Sequence, residues 1–178
     1  MTGCALQLDA APQGNQAAGV VRTREAEVLL QGPVGAEKLA GSEHTGGRAA
    51  ILVHRLAPRA LGSPIHTHRD EDEYSFVLEG EVGVQVGGET VVARPGDLVC
   101  KPRGVPHAFW NATDRPARLL EVIVPGGLED YFVRIAGLFA APGPPDLDAL
   151  EEVAASFGVQ VDPASVPQLA QAHGLVLS

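Results

Sequence analysis

Cysteine is scarce in this chain: Cys4 and Cys100 are the only two in 178 residues, and they lie far apart. No disulfide framework can therefore underlie the fold, and a reducing cytoplasm is the expected location. Long apolar runs are missing too. The opening MTGCALQLDAAPQGNQ lacks the basic and continuous apolar stretches of a secretory leader, and no later run is long enough to cross a bilayer as a helix. Basic side chains are in deficit, with 13 Lys and Arg against 22 Asp and Glu and a net charge of −9. From Gly127 onward, Glu129, Asp130, Asp146, Asp148, Glu151, Glu152 and Asp162 face Arg134 alone. Such a surface repels phosphate backbones and anionic lipid, which argues against nucleic acid and membrane and favours a small-molecule substrate. Internal repeats are absent as well.

Turn-forming residues, by contrast, are plentiful: 21 Gly and 14 Pro in a chain that is 45% hydrophobic. That is more than a helical bundle tolerates, in a length that suits one globular domain. Residues 1–20 carry no periodicity and read as a flexible N-terminal arm. From Arg48 the chain becomes a succession of short β-branched or aromatic runs closed by turns: RAAILVHRL, DEYSFVLE, EVGVQV, ETVVA, DLVCK, HAFW and ARLLEVIV. EVGVQV and ETVVA meet across Gly87-Gly88, a pair free to adopt the positive φ of a tight hairpin. Strands so closely spaced pair antiparallel, so residues 21–126 are expected to form an all-β sandwich or double-sheet jelly-roll barrel. After Pro125 the apolar period lengthens to that of a helix, at Leu128, Phe132, Ile135 and Phe139. Two more helices are expected in this 127–178 extension: one through Leu147, Leu150, Ala154 and Phe157, ending at Gly158, and one between Asp162-Pro163 and Gly174. All three should pack outside the barrel.

His66 and His68, two apart in HTH, would point to the same face of an extended strand. Glu73 follows across the polar turn RDED and can return a carboxylate to the same point, while Asp72 is its nearest substitute should Glu73 face outward. His107, after the rigid turn KPRGVP, can bring a further imidazole from a different strand. Three imidazoles and one carboxylate suit one divalent transition metal, with Fe, Mn, Ni, Co and Zn all open. An ion that prefers six ligands would keep two positions for substrate, water or dioxygen. His44, His54 and His173 join no cluster. Cys100 reads as a small buried hydrophobe, and of Phe109 and Trp110 one should line the interior while the other packs elsewhere.

These residues fall into an ordered pattern that resembles the two motifs of the cupin superfamily. His66, His68, Glu73 and Gly80 match the spacing of the first, with Ala60 in place of its leading glycine; Gly96, Pro102, Gly104, His107 and Asn111 match the second. The resemblance covers about residues 50–125 and implies a double-stranded β-helix with a metal at its centre. The segment PGGLEDYF, Pro125 to Phe132, is similar to the stretch that follows the barrel in quercetinase-like cupins, including bacterial flavonol 2,4-dioxygenases. Where many of those relatives carry an inward aromatic residue this chain has Ser75, which would enlarge the cavity. The resemblance implies a dioxygenase-like oxidoreductase acting on a small hydroxylated or aromatic molecule, with Glu73 as both metal ligand and catalytic base. Alternatives are a non-oxidative isomerase, epimerase or decarboxylase and a non-catalytic ligand-binding or sensory protein, because cupin folds host all of these. Pairing through an open sheet edge makes a homodimer the expected assembly.

Overall fold

The computed structural model describes residues 20–141, 143 and 146–177, so the arm expected over 1–20 lies outside the described residues except for Val20. In chain order the elements are β1 (Glu27–Leu30), β2 (Val34–Ala40), the short α1 (Ser42–Thr45), β3 (Ala50–Leu56), β4 (Ile65–His68), β5 (Asp72–Glu79), β6 (Val82–Val86), β7 (Glu89–Ala93), β8 (Leu98–Lys101), β9 (His107–Trp110), β10 (Ala117–Val124), α2 (Glu129–Phe139), α3 (Leu147–Ser156), β11 (Val159–Asp162) and α4 (Ser165–His173). The strands form two antiparallel sheets. One has six strands in the order β1-β2-β3-β10-β5-β8, the other five in the order β11-β4-β9-β6-β7.

Period-two alternation decides what enters the barrel. Along β10 every second residue is buried, so Ala117, Leu119, Glu121 and Ile123 point inward. Leu56, Val77, Val82, Val84, Phe109 and Leu119 then pack as one interior cluster. Each such side chain contributes roughly 1.5–3 kcal/mol by leaving water. The β6–β7 hairpin pairs Val86 with Glu89, which leaves Gly87-Gly88 as its two-residue turn, and Gly87 has φ +59. On the far face of β9, Trp110 lies against the backbone of Gly83, where a Cβ would run into the indole ring. It packs with Ala108 and with Leu169 of α4 and stacks on His173 at 4.1 Å.

The three helices expected after the barrel are present, and α2 and α3 do more than clad it. Leu128, at the start of α2, and Ala154 of α3 share one buried cluster with Ala50, Leu52 and Ile123, so these helices close the interior at that end. Between α3 and α4 the periodicity hid a strand. β11 pairs antiparallel with β4, placing Val159 opposite His68 and Val161 opposite His66. Ser165 secures this strap, because its hydroxyl accepts a hydrogen bond from the Ile65 amide at 2.8 Å and donates to the Asp162 carbonyl at 2.6 Å. Cys100, expected to be buried, is exposed. Alternation on β8 turns Leu98 and Cys100 outward and sends Lys101, only 1% exposed, into the barrel.

Candidate metal centre

The two sheets bring His66, His68, Glu73 and His107 together from opposite walls. His66 lies directly across the β4–β9 ladder from His107, and His68 follows on the same face of β4. Glu73 reaches them from β5 in the facing sheet, 5% exposed. One potential ligand atom from each residue lies within 4.8 Å of all the others. Glu73 Oε2 is 3.1 Å from His107 Nε2, and Oε1 is 3.5 Å from His68 Nε2. Metal bonds of about 2.0–2.2 Å at ordinary coordination angles put neighbouring ligand atoms roughly 3–3.5 Å apart, the spacing these two contacts have.

Surrounding groups aim the imidazoles. His66 Nδ1 donates to the Pro64 carbonyl and His107 Nδ1 to the Val105 carbonyl, each at 2.9 Å, which leaves the Nε2 lone pair of His66 free for an ion while His107 Nε2 faces Glu73 Oε2. His68 Nδ1 faces Glu71 Oε2 at 3.8 Å. Both ring nitrogens of His68 are buried without a hydrogen-bond partner, as a nitrogen waiting for a cation would be. Asp72 is no substitute for Glu73, because its carboxylate turns away to receive the backbone amide and guanidinium of Arg103. Those bonds hold Asp72 down at about 2.

Electrostatics keeps His66 and His68 in their ligating form. Burial, reinforced by the neighbouring His107, pushes His66 down to about 3, and burial lowers His68 as well. For Glu73, burial alone would favour the neutral acid, but the Lys101 ammonium, the hydrogen bond from His107 and the other imidazoles hold it well below the usual carboxylate range. Neutral imidazoles at His66 and His68 beside an ionised carboxylate suit a divalent ion.

Lys101, Glu121 and Ser75 complete the interior. Cross-strand register puts Lys101 opposite Glu73 on one side of β5 and Glu121 opposite Ser75 on the other. Lys101 Nζ donates to Glu73 Oε2 at 2.8 Å and to Glu121 Oε2 at 2.9 Å, and Ser75 Oγ donates to that same Glu121 oxygen at 2.7 Å. Ser75 does face inward, yet the room left by a missing aromatic ring holds this polar network rather than open cavity. Burial raises Glu121 to about 7 even though Lys101 opposes the shift. His54 also enters the barrel, 5.6 Å from the Phe109 ring and 5.5 Å from Phe132. Of the aromatic pair on β9, Phe109 therefore lines the interior and Trp110 packs under α4. Asn111 keeps a structural part, donating to the Ala57 and Arg115 carbonyls and accepting from the Thr113 amide.

Both the barrel and the motif spacing agree with a sequence match to the Cupin domain family over residues 52–123. This stretch is a cupin domain. The chain is 27% identical over 113 residues to quercetin 2,3-dioxygenase of Bacillus subtilis (strain 168), covering 64% of this chain and 33% of that protein. It is 37% identical over 70 residues to gentisate 1,2-dioxygenase of a Streptomyces species, covering 39% of this chain and 19% of that one. The chain thus spans a third or less of the length of these two relatives. Among solved structures, a predicted oxalate decarboxylase from Thermotoga maritima superposes with a TM-score of 0.55 at 25% identity, over 60% of this chain and 99% of its own. The shared fold is the cupin double-stranded β-helix, here with C-terminal helices added. Among the described residues no helix is long and apolar enough to cross a membrane.

Proposed function

We propose that this cupin is a metal-dependent, dioxygenase-like enzyme acting on a small hydroxylated or aromatic substrate. The carrying observation is the buried set His66, His68, Glu73 and His107, with ligand atoms within 4.8 Å of one another and both His68 nitrogens unpartnered. One divalent ion per chain, from among Fe, Mn, Ni, Co and Zn, would supply Lewis acidity and a meeting point for substrate oxygen and dioxygen. Glu73 is the only carboxylate of the set and the group assigned to take the substrate hydroxyl proton. Phe109 and Phe132 place apolar rings 5.6 and 5.5 Å from that of the neutral His54 inside the barrel.

Similarity to two dioxygenases supports the oxidative reading. Similarity to a predicted oxalate decarboxylase, matched over 99% of its length, favours a second one, in which the ion polarises a carbonyl without consuming oxygen. Metal analysis of untagged protein followed by oxygen-electrode assays with flavonols, catechols and β-diketones separates them. Oxygen uptake that disappears in Glu73→Ala supports the dioxygenase. Turnover without oxygen uptake, or no reaction with any of these substrates after metal reconstitution, refutes it. A homodimer is proposed as the working unit: Phe76, Leu78 and Leu98, from 39% to 57% exposed, project from β5 and the edge strand β8. The exposed thiol of Cys100 suits a cytoplasmic location.

A further inference from the structure

Lys101 is a buried cation that neither the ligand set nor the proposed reaction requires. It is 1% exposed and lies at the end of β8, opposite Glu73. A buried ammonium is costly unless its charge and its N–H groups are matched. Here they are matched by Glu73 Oε2 at 2.8 Å and Glu121 Oε2 at 2.9 Å. Glu121 is itself 1% exposed and tied down by the Ser75 hydroxyl at 2.7 Å. The chain of contacts therefore runs from Ser75 of β5 through Glu121 of β10 and Lys101 of β8 onto one oxygen of one candidate ligand.

We propose that Lys101, anchored by Glu121 and Ser75, is the positioning residue that fixes the Glu73 carboxylate through Oε2 and so presents Oε1, 3.5 Å from His68 Nε2, as the single oxygen offered to the ion. This inference rests on the metal-centre reading given above. Its physical basis is competition for lone pairs: an oxygen that accepts from a fixed ammonium is less available to a cation, and the other oxygen becomes the stronger donor. The consequence is a coordination position kept open that a two-oxygen carboxylate would fill. Partners that orient metal ligands in this way are usually worth about 10–100-fold in affinity. His66 and His107 have such partners in the Pro64 and Val105 carbonyls, and Lys101 is the corresponding partner of the carboxylate.

The test is Co2+ titration of the full chain, read by the visible d–d spectrum and by chelator competition, for wild type and the double variant Lys101→Met/Glu121→Gln. That variant removes the buried ammonium together with the carboxyl that anchors it, so neither is left in the barrel without its partner. The expected result is Co2+ still bound, with an affinity changed by about 10–100-fold and a changed d–d band, in a protein whose circular dichroism matches wild type. An affinity within about twofold and a superimposable spectrum would overturn the inference while leaving the metal reading intact. Wild-type protein that takes up no Co2+ overturns both. Should the variant not fold, a crystal structure of Co2+-loaded wild type decides the matter. Glu73 bound through one oxygen with Lys101 on the other supports the inference, and Glu73 bound through both, or Lys101 swung away, refutes it.

Discussion

Replacing His54 by Phe should make the protein more resistant to acid. His54 is 4% exposed, flanked by Phe109 and Phe132, and its Nδ1 has no hydrogen-bond partner. Burial, helped by the nearby Lys101 charge, drives its pKa from 6.5 down to about 4. In the unfolded chain the ring protonates near 6.5, whereas in the folded chain it stays neutral until about 4. Its contribution is therefore intact above pH 6.5 and is lost as pH falls through 6.5 towards about 4. The full difference amounts to roughly 3 kcal/mol, of which about 2 kcal/mol has gone at about pH 5 and almost none at about pH 7.5. Phe fills a similar volume without titrating. Denaturant unfolding of wild type and His54→Phe at those two pH values gives a stability gap at each. The gap should move by about 2 kcal/mol in favour of the variant at the lower pH. His66 and His68 titrate in both proteins and cancel in the comparison. A gap that is the same at both pH values would show that His54 is not held neutral in the barrel.

Chelation should lower the melting temperature and added Co2+ or Ni2+ restore it, with a stabilisation of about 4 kcal/mol at free ion about a thousand times Kd; His66→Ala should abolish the shift in a thermal melt. Gly83→Ala places a methyl against the Trp110 indole, and overpacking there should cost about 1–3 kcal/mol. The only tryptophan reports the displacement directly, as a red-shifted emission as it leaves its place under α4. Ser165→Ala should cost about 1–3 kcal/mol in urea unfolding by stripping the Ile65 amide of its partner. Because Ile65 opens the strand that carries His66 and His68, the same variant should also weaken Co2+ binding in a chelator competition; unchanged binding would show that the β11 strap does not hold β4 in place.

The candidate ligand set was legible because its geometry is local. HTH in an extended strand forces two imidazoles to one face, and the glycines and prolines around His107 make its turn readable without knowing the fold. The barrel was legible for the same reason, since period-two alternation and the Gly87-Gly88 turn are short-range properties. β11 was not. Its four residues, VQVD, become a strand only because β4 offers an open edge to pair with, and that edge belongs to a distant part of the sequence.

Cys100 and Lys101 mark the boundary between the two kinds of information. Four residues of LVCK alternate equally well in either phase, and hydrophobicity by itself turns Leu98 and Cys100 inward. The folded chain adopts the opposite phase, because register with β5 brings Lys101 between Glu73 and Glu121, whose carboxylates match a charge that could not otherwise be buried. Residue types and short spacings alone determined that strands would form and which side chains could ligate an ion. Which neighbours restrain those side chains, and which polar groups share the interior with them, was decided only when strands remote in sequence came into register, since charge compensation depends on distance in space rather than along the chain.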